Sequence, residues 1–232
     1  MPHRPPALVI FDCDGVLVDS EPISIAVLTA IIREAGGDVA EEIAYRRFLG
    51  MSMSSIGGIL SEEYGFVFGD EHVEAMRVAV YERFRSELKP VAGVRGALAT
   101  LDALGCRRCV ASSSSLERIR LSLELTGLLD LLEPNLYSAA MVQKGKPAPD
   151  LFLRAAQEQG VAPGDCVVVE DSPPGVEAAK RAGMRVFAFT GGSHAERAGL
   201  AEKLAALSPD LIFDDMAALP GLIRAGARTG AA

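Results

Sequence analysis

The sequence contains no tryptophan, only four cysteines and only three histidines in 232 residues. The cysteines lie in or beside apolar runs and are too few for a disulfide framework. Cys106 and Cys109 form a CxxC pair, but no second pair or nearby histidine completes a zinc site. His3, His72 and His194 show no metal-ligand spacing. We therefore expect free structural thiols rather than a zinc or redox centre.

Long apolar runs and excess positive charge are also missing. The stretch ISIAVLTAII is about half the length of a membrane span. The N-terminal MPHRPPALVIF has no apolar segment of the kind found in signal peptides. A net charge of −8 does not favour a nucleic-acid-binding surface. We expect a cytoplasmic protein, a monomer or small homo-oligomer, with no membrane or nucleic-acid partner.

Apolar runs, several of them rich in β-branched residues, are typical of buried strands. Five are clear: ALVIF (7–11), RCVASS (108–113), CVVVED (166–171), RVFAFT (185–190) and LIFDD (211–215). A weaker sixth is LYSAAM (136–141). Because such runs are apolar on both faces, they indicate a parallel sheet covered by helices.

Segments of helical period separate these strands, and several end in glycine, as helices commonly do. They are residues 93–105, 116–127, 149–160 and 173–183. Regular alternation of strand and helix predicts an α/β fold, a doubly wound (Rossmann-like) parallel sheet.

Residues 21–88 interrupt this alternation with helical periods and no convincing strand. We therefore predict an α/β core formed by residues 1–20 and 89–232, with an inserted all-helical cap domain at 21–88. Glu21 and Pro22 indicate the start of the first cap helix, because proline is favoured in a first turn. Asp19 either supports the hinge or caps that helix.

Polar residues follow the predicted strands at the edge where doubly wound sheets bind their ligands. They are Asp12, Asp14, Ser112, Lys146, Glu170 and Asp171. Crowded carboxylates repel one another, so raised pKa values or a bound cation must relieve the repulsion. Oxygen-only ligands favour Mg²⁺, which keeps waters that a substrate phosphate can replace.

The same residues suit phosphoryl transfer. Lys146 supplies positive charge and Ser112 a hydrogen-bond donor for phosphoryl oxygens. Asp12 and Asp14 stand two residues apart on an extended segment and therefore point to the same side. One can attack phosphorus while the other handles a proton at the leaving oxygen. Gly15 allows a tight turn beside the substrate.

Four motifs, in this order, resemble those of the haloacid dehalogenase superfamily. They are DCDGVLVDSE, the serine after the second strand, GKPAPD and VVVEDSPPGVEAAKRAGM. The helical insertion is similar to the cap of the branch that holds β-phosphoglucomutase and small sugar-phosphate phosphatases. The resemblance implies that Asp12 is the nucleophile, forming an aspartyl-phosphate, and that Asp14 is the general acid and then the base.

It further implies that Ser112 binds phosphoryl oxygens and that Lys146 neutralises charge. The implied Mg²⁺ ligands are Asp12, Asp14 (through its backbone), Glu170 and Asp171, although direct ligation by Glu170 stays open. The expected substrate-binding residues are Gly15, Ser113, Arg47, Gly50 and Ser52. Arg46 and Arg47 either meet a substrate carboxylate or distal phosphate, or are solvated helix residues.

Departures from family patterns favour one reaction. Asp14 is present, which argues against dehalogenation, and no lysine occurs in the first 88 residues, which argues against a Schiff-base hydrolase of phosphonoacetaldehyde. Ser24 and Met53 stand where phosphoglucomutases carry a histidine and an arginine. We therefore expect hydrolysis, with a phosphosugar mutase as the alternative.

The segments FDCDGVLVDSE, RFLG and KPAPD resemble the pattern of 6-phosphogluconate and related sugar-phosphate phosphatases. The expected substrate is a small phosphorylated metabolite, a sugar phosphate or a sugar-acid phosphate such as 6-phosphogluconate. Two alternatives belong to another class. A phospho-receiver domain gathers similar residues, but its acceptor aspartate lies on a third strand. A catalytically silent binding protein would be expected to lack a motif acid, and none is missing.

Overall fold

The computed structural model describes residues 6–51 and 53–226. Within them, six parallel strands form one sheet in the order β3-β2-β1-β4-β5-β6. The strands are β1 (Leu8–Phe11), β2 (Arg107–Ser112), β3 (Leu136–Ser138), β4 (Cys166–Glu170), β5 (Arg185–Phe189) and β6 (Leu211–Phe213). The strand order reverses at β1, as in a doubly wound sheet. The predicted fold class is confirmed.

Four helices follow β1 directly: α1 (Glu21–Glu34), α2 (Glu41–Arg47), α3 (Met53–Tyr64) and α4 (Asp70–Glu87). The others are α5 (Val94–Ala103), α6 (Leu116–Leu125), α7 (Leu129–Leu132), α8 (Asp150–Glu158), α9 (Pro173–Arg181), α10 (Ala195–Ala198), α11 (Leu200–Ala205) and α12 (Leu219–Gly226). In the described ranges, no helix combines the length and apolar character that crossing a membrane requires.

Strand β1 is buried on both of its faces. Val9 and Phe11 pack into one apolar cluster, whereas Leu8 and Ile10 pack into the other. This alternation follows from the two-residue period of a strand. Full burial of each such side chain stabilises the fold by about 1.5–3 kcal/mol relative to exposure. Because β1 is covered on both sides, it can hold the next residues of the chain, Asp12 to Asp14, at a fixed place.

The third strand is shorter than the run LYSAAM predicts. It ends at Ser138, whose Oγ accepts a hydrogen bond from the backbone N–H of Ala140 at 3.2 Å. Residues Ala139–Met141 then form a 3₁₀ turn. Local hydrogen bonding by a serine side chain competes with strand pairing, and here it ends the strand.

The two ends of the helical segment lie side by side. Val18 and Pro90 form an isolated antiparallel bridge. The backbone N–H of Asp19 donates to the carbonyl of Lys89 at 2.9 Å, and that of Val91 donates to Leu17 at 3.0 Å. No strand occurs among the described residues of 21–88. The division into core and cap at these boundaries stays a prediction.

Helix α1 begins without help from Asp19. Ser20 occupies its N-cap position and makes no side-chain capping bond, and a proline stands in the first turn. The Asp19 Oδ1 atom instead accepts a hydrogen bond from Ser193 Oγ at 2.9 Å. Of the two roles expected for Asp19, helix capping is thus not the one adopted. Asp19 ties the entry to α1 to the loop after β5.

The four cysteines are all buried and free. Burial raises the pKa of Cys109, whose thiol lies within the sheet, well above its ordinary value, and that of Cys166 to about 11. Buried protonated thiols are inert packing groups. The expectation of plain structural thiols agrees with this arrangement.

Candidate active site

A cavity of about 510 Å³ opens at the carboxyl ends of the central strands. Its floor includes Asp12 after β1, Ser112 at the end of β2 and Glu170 at the end of β4. Helices α1, α3 and α4 and the loop before α3 supply much of the wall. Because β1 is the strand at which the sheet order reverses, this is the place where such sheets bind ligands.

Three buried carboxylates meet in the floor. Oxygen atoms of Asp12, Glu170 and Asp171 lie within 4.8 Å of one another. The backbone N–H of Asp12 donates to the carbonyl of Val169 at 3.0 Å, which fixes the chain beyond β1 against β4. Burial raises the pKa of Asp12 and of Asp171 well above the ordinary range, and the neighbouring Glu170 raises both further. Positive charge at this point would relieve the repulsion.

Lys146 supplies part of that charge. Its Nζ lies 2.7 Å from Asp12 Oδ1 and 2.9 Å from Glu170 Oε1, and its side chain is only 3% exposed. Burial alone lowers the pKa of Lys146, but the attraction of Asp12 and Glu170 outweighs it and raises the pKa above its usual value. Lys146 is therefore a fixed ammonium group in the floor.

Glu170 is held by the turn that leads into α9. Its Oε2 accepts hydrogen bonds from the backbone N–H groups of Asp171 at 2.6 Å and Ser172 at 3.1 Å. Its Oε1 accepts from Ser172 Oγ and from Lys146. A Cβ on Gly175 would lie 1.5 Å from Glu170 Oε1, so only glycine leaves room for this arrangement. Both Glu170 oxygens are already engaged.

Asp171 packs against two groups outside the cavity. Gly15 has a φ of +78°, and a Cβ there would lie 1.9 Å from Asp171 Oδ2. His194 is fully buried, and its Nε2 lies 3.0 Å from the same oxygen. Gly15 thus permits close approach to Asp171 and is not among the described residues that line the cavity.

Asp14 is held by three side chains. Its Oδ1 accepts from Ser20 Oγ at 2.6 Å and from Arg118 Nη2 at 2.8 Å, and its Oδ2 accepts from Ser114 Oγ at 2.6 Å. Burial raises the pKa of Asp14, but Arg118 and the two hydroxyl groups outweigh it and bring the pKa below its ordinary value. These partners therefore favour the ionised form of Asp14 in the unliganded site, and its side chain stands apart from the three-carboxylate cluster.

Arg118 was not predicted from the sequence. It projects from the first turn of α6, donates to Ser24 Oγ at 3.2 Å and lies over the Phe84 ring at 5.1 Å. It therefore contacts Asp14 on one side and helices α1 and α4 on the other. A basic residue in a first turn opposes the helix dipole, and this was the available signal that Arg118 has another role.

The serines at the end of β2 and in the following turn have different roles. Ser112 is buried and its Oγ accepts from the backbone N–H of Ser114 at 3.1 Å. Ser115 caps α6 by accepting from the backbone N–H of Arg118 at 3.2 Å. Ser112 and Ser113 both line the cavity, as their predicted roles require.

Glu21 also lines the cavity, although the sequence indicated only a helix start. Burial raises the pKa of its carboxyl group to about 7, and the nearby charge of Asp14 raises it as well. Glu21 is therefore partly protonated near neutral pH.

Of the substrate-binding residues predicted in the helical segment, one lines the cavity and another does not. Gly50 lines the cavity, and a Cβ there would lie 3.6 Å from Ser172. Arg47 does not reach it, because its guanidinium pairs with Glu63 at 2.6 Å on the surface. Ser52 lies outside the described residues.

A family model described as haloacid dehalogenase-like hydrolase matches residues 6–183. The chain belongs to this family. It is 33% identical over 187 residues to 6-phosphogluconate phosphatase of Escherichia coli K12, covering 80% of this chain and 83% of the relative. It is also 33% identical over 184 residues to the phosphorylated carbohydrates phosphatase of Thermotoga maritima, covering 76% and 81%.

Two solved structures extend the comparison. A conserved haloacid dehalogenase-like protein of Agrobacterium tumefaciens superposes with a TM-score of 0.84 at 36% identity, covering 96% of this hydrolase and 99% of that chain. A haloacid dehalogenase family hydrolase of Deinococcus radiodurans, with bound phosphate and sodium, gives 0.78 at 29% identity, covering 98% and 99%. The likeness therefore spans the helical segment as well as the sheet.

The donor set of this hydrolase fits a hard divalent cation. All three clustered side chains are carboxylates, they are buried, and the only described cation beside them is Lys146. Oxygen-only donors of this kind suit Mg²⁺. Because both oxygens of Glu170 already accept hydrogen bonds, Asp12 and Asp171 are the better placed ligands and Glu170 a support.

Proposed function

We propose that this hydrolase is a Mg²⁺-dependent phosphatase that cleaves monoesters of small phosphorylated metabolites of the sugar-phosphate class. One observation carries the proposal: Asp12, the buried carboxylate cluster and Lys146 lie together in the floor of the cavity. Relatives named as phosphatases of 6-phosphogluconate and of phosphorylated carbohydrates support the substrate class.

In the proposed reaction, an Asp12 carboxylate oxygen attacks phosphorus and the bond from phosphorus to the leaving oxygen breaks. For this step Asp14 must be protonated when the substrate is bound, which the negative charge of the phosphate would favour, and it gives its proton to the leaving oxygen. Asp14 then takes a proton from the water that attacks the aspartyl-phosphate, so that inorganic phosphate leaves and Asp12 is restored. The ion pair with Arg118 favours the ionised Asp14 that the second step needs.

The remaining residues of the floor would stabilise charge. Lys146 neutralises negative charge beside Asp12, and hydroxyl or backbone groups of Ser112 and Ser113 would bind phosphoryl oxygens. Asp12 and Asp171 would hold Mg²⁺, which when bound supplies further positive charge to the phosphoryl group.

Two cavity residues favour hydrolysis over a mutase reaction. A mutase must bind a second phosphate, which calls for positive charge on the wall opposite the nucleophile. Ser24 and Met53 line the cavity on α1 and α3 and carry none. We therefore keep the mutase as the weaker alternative.

A direct test compares phosphate release from p-nitrophenyl phosphate, with Mg²⁺ and with a chelator, by wild type and Asp12→Asn. The matched control is Asp38→Asn, a change at an exposed residue between α1 and α2. Loss of the nucleophile should lower kcat by roughly three orders of magnitude or more. Asp38→Asn should retain full activity. A fully active Asp12→Asn enzyme would refute the nucleophile assignment.

A further inference from the structure

The wall of the cavity that the helical segment provides is apolar. Its side chains include Ile25 and Leu28 of α1, Met51 of the preceding loop, Met53 and Ile56 of α3, and Met76 of α4. Three of these six residues are methionines, whose flexible thioether chains adapt to varied apolar shapes. Such a wall can pack against carbon atoms, but its described residues offer no positive charge to a polar substituent.

Most of the ionisable groups that line the cavity are carboxyl groups. Five carboxylates line it: Asp12, Asp14, Glu21, Glu170 and Asp171. Among the described lining residues only Lys146 and Arg118 are cations, and each is paired with one or two of those carboxylates. A divalent cation would be held by the carboxylate cluster in the floor. A second anionic group on a substrate would therefore find no unpaired cation among the described lining residues.

The arginines of the helical segment add no positive charge to the cavity lining. Arg47 pairs with Glu63, Arg77 with Glu74 and Arg83 with Glu87, all on exposed helix surfaces. None of these arginines lines the cavity. Arg46 of α2 and Arg85 of α4 do not line the cavity either, so no arginine of these two helices lies in the space where a leaving group would lie.

We propose that this enzyme selects phosphate monoesters whose leaving group carries no second anionic group and packs its carbon atoms against the methionine-bearing wall. The inference rests on the proposed phosphatase function and narrows its substrate class. Neutral sugar or polyol phosphates fit this cavity, whereas sugar-acid phosphates and bisphosphates do not. Specificity follows from repulsion by Asp14 and Glu21 and from the absence of a free cation among the described wall residues.

Two pairs of substrates separate the effect of the leaving group's charge from that of its size and shape. Sorbitol 6-phosphate and 6-phosphogluconate are open-chain six-carbon monoesters that differ in a terminal alcohol or carboxylate. The aryl esters 4-carbamoylphenyl phosphate and 4-carboxyphenyl phosphate are nearly equal in shape and differ in charge. We expect kcat/KM to favour the neutral member of each pair by about tenfold or more. Added salt should narrow that ratio, because it screens the repulsion.

A variant tests the location of the effect. Met51→Arg places a cation on the wall, in a loop where no helix is disturbed. It should raise kcat/KM for the anionic members and shrink the ratio. The matched control is Val67→Arg, at a residue that is 74% exposed and outside the cavity lining. It should leave the ratio unchanged.

Equal or greater activity of wild type on the anionic members overturns the inference, as does an unchanged ratio in Met51→Arg. Because the aryl pair does not depend on the natural metabolite, a result is obtained even if neither six-carbon ester is cleaved. Failure of the proposed function gives a different pattern. In that case no ester would show Mg²⁺-dependent hydrolysis that Asp12→Asn abolishes.

Discussion

Arg118 Nη2 lies 2.8 Å from Asp14 Oδ1 while the same guanidinium covers the Phe84 ring of α4 at 5.1 Å. One side chain therefore contacts the proposed acid–base residue and the helical segment at the same time. The ion pair is largely buried, where removing one partner leaves an uncompensated charge. The relationship makes Arg118 a positioning residue for Asp14.

Replacing Arg118 by methionine should lower kcat by about 10²-fold, because Asp14 loses both its orientation and its charge partner. The pKa of Asp14 should rise, so the acidic limb of the pH–rate profile should move to higher pH. Arg118→Lys should restore part of kcat. Arg120→Met changes the next arginine of α6, which faces outward and pairs with Glu133, and should behave as wild type. An unmoved acidic limb in Arg118→Met would contradict this role.

Asp14→Ala should stall the enzyme after the first step with an activated aryl ester, because the leaving group needs no proton while the attacking water does. Phosphoryl-enzyme should accumulate, and peptide mapping by mass spectrometry should place the phosphoryl group on Asp12. The Asp12→Asn variant, treated in the same way, should carry no phosphoryl group. A phosphoryl group on another residue would reassign the nucleophile.

His194→Gln should weaken Mg²⁺ binding by about 10- to 100-fold, the usual effect of losing a group that positions a metal ligand. The reason is the 3.0 Å contact between His194 Nε2 and Asp171 Oδ2. Binding is measured by the Mg²⁺-dependent rise in Tm without substrate, which a purely structural role would leave unchanged. His72→Gln, at the histidine of α4, is the control. If both variants show the wild-type Mg²⁺ dependence, His194 has no part in placing Asp171.

Glu21 should make the free energy of unfolding fall as pH rises. Burial, with Asp14 and Asp171 nearby, raises its pKa to about 7 in the folded state, against the attraction of His194 and Arg118. The folded chain therefore binds more protons at this site than the unfolded chain between the ordinary pKa of a glutamate and about 7. The lost stability should be roughly 1–3 kcal/mol across that window.

Urea unfolding at pH 5 and pH 8, in the presence of a chelator, measures this difference. Glu21→Gln keeps the side-chain shape without the titration, so its fall in stability should be smaller than that of wild type. Glu34→Gln, at the exposed end of the same helix, should match wild type. An equal change in the free energy of unfolding between pH 5 and pH 8 for wild type and Glu21→Gln would show that Glu21 does not titrate in this window.

The sequence predicted the sheet, its covering helices and the residues at its edge. Asp12, Glu170 and Asp171 follow apolar runs directly, and the carboxyl ends of parallel strands necessarily meet, so their proximity could be inferred from order alone. Whether each of them performs its assigned role stays a prediction. The weaker run LYSAAM was only half a strand, because a side-chain hydrogen bond of Ser138 ended it.

Arg118, His194 and Glu21 were missed for a common reason. Each reaches the site from a helix or loop whose orientation depends on packing between elements, and sequence period does not specify that orientation. Arg47 was instead predicted to bind the substrate and does not line the cavity, because the rotation of α2 directs its side chain to Glu63. The periodicity of apolar residues predicted the helices of this segment, but only the structure shows which face of each helix turns towards the cavity.

The pairing of residues 17–19 with 89–91 determines how costly it is to change the helical segment between them. The helical segment begins and ends at adjacent backbone positions beside β1, with the Asp19 N–H bonded to the Lys89 carbonyl. The two ends of the segment are thus held together, and lengthening the chain between them adds only slowly to the entropic cost of closing the loop. Changes of length or sequence between these positions would therefore leave the paired backbone, and with it β1 and the aspartates that follow it, in place.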